Sequence, residues 1–325
     1  MLSAPGLSGE PASSNGDMNI RTGFLFAGQG SQYLGMGKDL YEAYPQAKKV
    51  FDSADKRLGF SLSSLCFDGP KEELIKTNNA QPAILTMAVA CWEMFKETTN
   101  YQLSADDYAA GLSLGEYSAL VASQALSFED AVYLVRRRGE FMEEEALRRP
   151  GKMACVLGLG LEQVKDIALK SKTEVANINS PGQIVLSGSA DGIDEARRIA
   201  EEAGAKGVIA LDVSGAFHSS FMKNAADKLA KELDSIKIDR PKLTVIANVN
   251  AAALNEPQQI KELLIRQVYS SVLWEDSMKL ILSKGVINFI EFGPGKVLKG
   301  LMRKINDKVV VSNIEKKEDI VRFKA

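Results

Sequence analysis

Tyr108-Ala109-Ala110-Gly111-Leu112-Ser113-Leu114-Gly115-Glu116-Tyr117 is the stretch on which the fold turns. A short apolar run enters Gly-x-Ser-x-Gly and leaves into a helical sequence reaching about Ala125, the pattern of a nucleophile elbow between a strand and a helix. Small residues are needed because side chains at the two glycine positions would crowd so sharp a turn. The turn lifts the Ser113 hydroxyl above the sheet. The helix beginning at Glu116 aims free N–H groups and its positive dipole end at the same spot.

The sequence on either side alternates strand-like and helical segments. Thr22–Ala27 (TGFLFA) reads as a buried strand running into Gly28-Gln29-Gly30-Ser31-Gln32, and a helix is expected from about Lys38 to Leu58. Gln81-Pro82-Ala83 is expected to open an apolar helix with proline in its first turn. Ser127-Phe128-Glu129-Asp130 fits a capping box, starting a helix that carries Arg136, Arg137, Arg138 and Met142. Beyond residue 214, helices are expected near Ser220–Leu233, Gln259–Val268 and Trp274–Ser283. Strands are expected near Leu243–Ala247 and Asn288–Phe292, with a last helix after Gly293-Pro294-Gly295. Such alternation predicts a mostly parallel sheet.

Residues 152–213 break this rhythm. Their order is strand, helix, strand, a Ser180-Pro181-Gly182 turn, strand, helix, strand, which is the βαββαβ unit of ferredoxin-like folds. The expected architecture is therefore α/β: a hydrolase-like, mostly parallel sheet core with an inserted ferredoxin-like subdomain. The expected division is 21–149 plus 214–325 for the large subdomain and 150–213 for the small one. Residues 1–20 are rich in Ser, Gly, Ala, Pro and Asn until Arg21, lack the basic start and apolar stretch of a secretory signal, and read as a disordered leader.

Composition narrows the function classes. Of 325 residues, 45% are hydrophobic and 25% charged, the balance of a globular enzyme with a sizeable core. The 40 basic and 42 acidic residues nearly cancel, so no nucleic-acid partner is expected. No apolar run approaches the roughly 20 residues of a membrane span. The three cysteines, Cys66, Cys91 and Cys155, lie in apolar contexts, read as reduced thiols, and show no zinc-ligand spacing. With one histidine in the chain, no metal site is expected.

That histidine is itself informative. A serine hydroxyl needs a base, and only His218, in Ser214-Gly215-Ala216-Phe217-His218-Ser219, can supply imidazole. Arg138 shares a helix face with the apolar Leu134, Val135 and Met142, so it is expected to be buried, where a guanidinium seeks a carboxylate. The Gly28-Gln29-Gly30 loop can offer a backbone N–H to an oxyanion. It is not a dinucleotide fingerprint, because Tyr33 stands where a third glycine is needed.

Together these segments make the chain resemble the malonyl-CoA:acyl-carrier-protein transacylase family over about residues 22–315. The likeness rests on Phe26–Gln32, Gly111–Tyr117, Arg138-Gly139, Asn177 with Asn179–Gln183, Gly215–Ser219, Gln267 followed by Trp274, and Gly293–Leu298, in order and at fitting spacings. The resemblance implies that Ser113 carries the acyl group and His218 is the base. It implies an oxyanion hole from the Gln29 and Leu114 N–H groups, and Arg138 pairing with the malonyl carboxylate. Gln267 would support the histidine through its backbone carbonyl. Met142, Asn177, Asn179 and Phe217 would line the substrate path, Phe217 crowding a methylmalonyl methyl. Ala27, Leu112 and Ser271 depart from the family's usual Pro, His and Pro.

The implied activity is transfer of malonyl from malonyl-CoA to the phosphopantetheine thiol of acyl carrier protein, in fatty acid biosynthesis, by a monomer without cofactor. Its compartment would be the cytoplasm, or the plastid stroma if a presequence has been removed. The alternatives are a serine hydrolase of thioesters, or a transacylase for another acyl group. Acidic residues between Ser113 and His218 leave the hydrolase open by order alone; Arg138 and the βαββαβ insert argue against it.

Overall fold

The computed structural model describes residues 21–323. The expected leader, residues 1–20, lies outside the described residues. Two sheets organise the rest. One has five strands: β1 (Thr22–Phe26), β2 (Tyr108–Gly111), β7 (Thr244–Val245), β8 (Asn288–Phe292) and β9 (Val310–Ile314). They run in the order β7-β2-β1-β8-β9, and every pairing is parallel. The other has four antiparallel strands: β3 (Lys152–Leu157), β4 (Glu174–Ser180), β5 (Gln183–Gly188) and β6 (Gly207–Ala210). Their order, β4-β5-β3-β6, is that of a ferredoxin-like split unit.

The alternation of side chains along β1 explains the layering. Phe24 and Phe26 face one core, among Trp92, Phe95 and Phe292. Leu25, between them, faces a second core with Trp274, Met278 and Phe289. A strand apolar on both faces is stable only between two layers of helices, which is how a parallel sheet is built. The four-stranded sheet divides its faces similarly. Ala154 and Val156 meet Ile184 and Leu186 beneath the helices Leu161–Ser171 and Ala190–Glu202, in a third cluster. Met153, Cys155 and Val185 join the main core from the other face.

The segment before the helix Trp274–Ser283 is stitched to the edge of β4. Val272 N–H donates to the Ala176 carbonyl at 2.8 Å, and the Val272 carbonyl accepts from Ile178 N–H at 2.9 Å. Ser271, in place of the usual proline, adds a hydroxyl bond of 2.5 Å to the Val175 carbonyl. Ala27 similarly uses an N–H that proline lacks, donating to the Phe292 carbonyl at 3.2 Å.

Several elements differ from expectation. The helix expected over Lys38–Leu58 is two helices, Lys38–Ala43 and Pro45–Leu58. Tyr44 between them is extended (φ −131°, ψ 118°), as the residue before a proline prefers. The apolar helix begins at Thr77, not at Gln81, so Pro82 lies inside it. Pro82 has no N–H for the Asn78 carbonyl, and Arg136 Nη1 fills that role at 3.0 Å. Strand β6 ends at Ala210, short of Val213, on a half-exposed sheet edge. The chain does not end on the helix after Gly295: β9 and a short helix, Lys317–Val321, follow Val297–Ile305. The short helices Leu62–Asp68 and Lys71–Leu74 were also unanticipated, being too brief to show a period.

The elbow is locked by close packing. A Cβ on Gly111 would stand 1.9 Å from the Gly115 carbonyl carbon, and one on Gly115 would stand 2.2 Å from the Phe26 carbonyl oxygen. Gly111→Ala or Gly115→Ala is therefore expected to destabilise the protein by about 3 kcal/mol or more. Urea denaturation measures this; an unchanged midpoint would contradict the packing.

Candidate active site

The parallel sheet sets the site's position. In such sheets functional groups gather beyond the carboxyl ends of the strands. Gln29 follows β1, Ser113 follows β2 and Asn248 follows β7, so three neighbouring strands deliver their loops to one place. Gly28 lies against the Leu112 carbonyl, where a Cβ would come within 2.4 Å, and this brings the Gln29 segment beside the elbow.

Ser113 holds the elbow's strained position, with φ 53° in the left-handed region that L residues avoid by about 1 kcal/mol or more. Two Asn248 contacts stabilise it. The Asn248 side chain accepts from Ser113 N–H at 2.6 Å and donates to the Gly111 carbonyl at 2.8 Å. Gly115, Glu116 and Tyr117 spend their N–H groups on the carbonyls of Leu112, Ser113 and Leu114. Among the described residues, the Leu114 and Gln29 amides have no protein acceptor. The Gln29 side chain is held aside by a 3.2 Å bond to Thr77 Oγ1.

His218 stands 2.7 Å from Ser113 Oγ through Nε2, and 2.8 Å from the Gln267 carbonyl through Nδ1. A carbonyl can only accept, so Nδ1 carries the proton and Nε2 is left free to receive one from the serine. No acidic residue is required: a main-chain carbonyl does the orienting. Burial, with the Arg138 charge nearby, holds the imidazole down to about 4, against the opposing pull of its backbone hydrogen bonds to Gln267 and Ser270.

Arg138 comes from the helix Phe128–Arg148 and is 1% exposed. Its Nη2 donates to Ser113 Oγ at 3.1 Å and to Gln267 Oε1 at 3.0 Å, and its Nη1 donates to Gln81 Oε1 at 2.8 Å. The expected carboxylate partner is missing from the protein itself: among the described residues no Asp or Glu makes an ion pair with Arg138, and its Nε has no partner. Burial pulls its pKa down, opposed by Tyr117 and Glu116. Glu116 is fully buried, and burial pushes its carboxyl up to about 7, so it offsets the guanidinium only partly.

The remaining sequence candidates separate into two groups. Met142 Sδ accepts from Gln81 Nε2 at 3.6 Å, which places it beside the Arg138 partner. Phe217 is buried next to His218, and its ring would meet a Cβ on Gly215 at 3.4 Å. Asn177 and Asn179 lie on β4, Asn177 bridging to Val272; neither is hydrogen-bonded to the Ser113–His218–Arg138 cluster, and Asn179 Oδ1 is buried without a partner among the described residues. Gln81, Glu116 and Asn248 were missed. Their signals were faint: a lone amide in an apolar helix, a carboxylate behind the elbow, and an asparagine at the end of a strand. Among the described residues no group of three His, Cys, Asp or Glu is placed to hold a metal ion, and no helix is long and apolar enough to cross a membrane. Cys66, Cys91 and Cys155 are buried free thiols.

A serine, an imidazole and free amides at the elbow of a parallel sheet define an enzyme of acyl chemistry, and comparison with known proteins makes the class specific. Residues 23–320 match the acyl transferase domain family. The malonyl CoA-acyl carrier protein transacylase of Bacillus subtilis is 50% identical over 302 residues, which cover 91% of this chain and 94% of the relative. The solved transacylase of Streptococcus pneumoniae superposes with a TM-score of 0.88 at 42% identity, covering 93% of this chain and 98% of that one. A malonyl-transacylase solved in complex with a type II PKS acyl-carrier protein gives 0.88 at 36% identity, covering 93% and 98%. The chain belongs to the malonyl-CoA:acyl carrier protein transacylase family of acyltransferases.

The depressed histidine sets a pH dependence. With its pKa pushed down to about 4 by burial and then by the Arg138 charge, the imidazole is mostly neutral at pH values well above that and free to accept a proton. Activity of the free enzyme, kcat/KM for acylation, is expected to hold from pH 8 down to about 5 and to fall only as pH drops through the histidine's range. An acid limb near 6.5, the ordinary histidine value, would contradict the buried, unprotonated base.

Proposed function

We propose that the protein transfers malonyl from malonyl-CoA to the phosphopantetheine thiol of an acyl carrier protein, through an ester on Ser113, in fatty acid biosynthesis. The observation that carries this reading is the buried guanidinium of Arg138, which pairs with no Asp or Glu among the described residues and stands 3.1 Å from Ser113 Oγ. A buried cation without a counter-charge is unfavourable. Malonyl supplies that charge on a carboxylate one methylene from the thioester carbonyl, so the carbonyl reaches Ser113 while the carboxylate reaches Arg138.

The chemistry is ping-pong. His218 Nε2 takes the Ser113 proton as Oγ attacks the thioester carbonyl. The resulting oxyanion is held by the Gln29 and Leu114 N–H groups. The C–S bond breaks, and His218 returns the proton to the coenzyme A thiolate. The carrier's thiol then attacks the malonyl-serine ester by the reverse of these steps and leaves with the acyl group. The Gln267 carbonyl keeps the imidazole in the required tautomer. Phe217 and Met142 are proposed to bound the acyl pocket, with Asn177 and Asn179 along the pantetheine path, where the unpartnered Asn179 Oδ1 offers an acceptor.

Malonyl-CoA and an acyl carrier protein are the proposed partners, with no nucleic acid or membrane involved. A monomer is proposed. We also propose residues 150–213 as a small subdomain on a large one of 21–149 plus 214–325, and place the reaction in the cytoplasm, where buried cysteines stay reduced. The bacterial relatives give no support to a plastid location.

The test is the acyl preference. Arg138→Ala should lower kcat/KM for malonyl-CoA by about 100-fold or more, the scale of a lost buried charge-assisted contact. Any reaction with acetyl-CoA should change by less than about tenfold, because that donor has no carboxylate to hold. Equal losses for both donors would contradict a carboxylate-binding role.

A further inference from the structure

Gln267 is a hub whose amide has one workable orientation. Its Nε2 donates to the Ser113 carbonyl at 3.0 Å and to Glu116 Oε2 at 2.8 Å, while its Oε1 accepts from Arg138 Nη2 at 3.0 Å. Rotated by half a turn, the amide would set N–H groups against the guanidinium and an oxygen against two oxygens. All three contacts would become repulsive. The two bonds to Nε2 therefore decide whether Arg138 meets an acceptor.

Glu116 holds more than that amide. The same Oε2 accepts from Asn248 N–H at 2.9 Å, and the Asn248 side chain fixes Ser113 N–H and the Gly111 carbonyl. One carboxylate oxygen thus joins the elbow, the segment after β7, and the residue that orients both His218 and Arg138. The Glu116 carboxyl makes no hydrogen bond to Ser113 Oγ or His218, and its second oxygen, Oε1, has no partner among the described residues. Protonated on Oε1, the group would still accept both bonds through Oε2, so its accepting geometry outlasts its charge.

We infer that Glu116 is a positioning residue for acyl selection: by accepting from Gln267 and Asn248 with one oxygen, it fixes the Gln267 amide so that Arg138 is held beside Ser113, ready for the substrate carboxylate. This deepens the proposed function and rests on its assignment of Ser113 and Arg138. The consequence is specific. Loss of the acceptor frees Gln267 to rotate and Arg138 to drift, which penalises donors bearing a distal carboxylate more than donors without one. A merely structural role would lower both in proportion.

The experiment compares kcat/KM for malonyl-CoA and acetyl-CoA in wild type, Glu116→Met and Glu116→Gln, each also carried into an Arg138→Ala background. Methionine fills the volume without accepting; glutamine keeps an accepting oxygen without charge. The malonyl-to-acetyl ratio should fall by at least about tenfold in Glu116→Met, the effect of stranding buried donors. In Glu116→Gln it should stay within about threefold of wild type, and in the Arg138→Ala background the methionine change should leave it unaltered. A folded Glu116→Met enzyme with an unchanged ratio, or a methionine effect that persists without Arg138, overturns the inference. So does a Glu116→Gln enzyme whose ratio collapses, since charge and not accepting geometry would then matter. If Glu116→Met shows no cooperative thermal transition, the glutamine variant alone decides by the same limits. Failure of wild type to prefer malonyl-CoA would instead defeat the functional reading beneath it.

Discussion

Arg138, buried almost completely and paired with no Asp or Glu among the described residues, constrains everything around it. Desolvating a guanidinium is expensive, and the protein offsets it with neutral oxygens from Gln81 and Gln267 and the Ser113 hydroxyl. These contacts leave the charge itself largely unmatched, since burial pushes the nearby Glu116 carboxyl towards neutrality. Burial first, and the Arg138 charge second, hold the His218 imidazole well below its ordinary pKa.

The parallel sheet makes this arrangement possible. Strands β1, β2 and β7 lie side by side and point the same way, so the loops holding Gln29, Ser113 and Asn248 emerge together. The antiparallel sheet contributes differently. Its β4 edge is hydrogen-bonded to Val272, a few residues beyond Gln267, and Ser220 just after His218 is held by Glu174 at the start of β4. The segments carrying the histidine and its supporting carbonyl are therefore anchored to the second sheet, while the nucleophile is anchored to the first. Ser113 Oγ and His218 Nε2, anchored in this divided way, lie 2.7 Å apart.

Much of this was legible in the sequence. The elbow could be read from Gly111, Ser113 and Gly115 because only glycine fits such close backbone approaches. His218 stood out because one histidine exists, and the fold brings its Nε2 to 2.7 Å from Ser113 Oγ. The split unit announced itself by its strand and helix order. What stayed hidden depends on contacts between distant segments. Pro82 reads as a helix start because its missing N–H is harmless there; that Arg136 would serve the stranded Asn78 carbonyl cannot be seen along the chain. The Lys38–Leu58 run keeps a helical period across Pro45, and the break lies in the backbone of Tyr44. Gln81, Glu116 and Asn248 look ordinary alone, and acquire meaning only when the fold turns their polar atoms towards Ser113 and Arg138. For Arg138 itself, the periodicity gave burial correctly, and no Asp or Glu among the described residues pairs with it.

The central claim is that Ser113 carries malonyl as an ester before any carrier protein arrives. Intact-mass spectrometry after brief exposure to malonyl-CoA alone tests it most directly, with Ser113→Ala as the comparison. The account predicts a mass gain of one malonyl group on wild type and none on the variant, cleared when holo acyl carrier protein is added. An unlabelled wild-type enzyme that releases free malonate into water, with no need of a thiol acceptor, would contradict it.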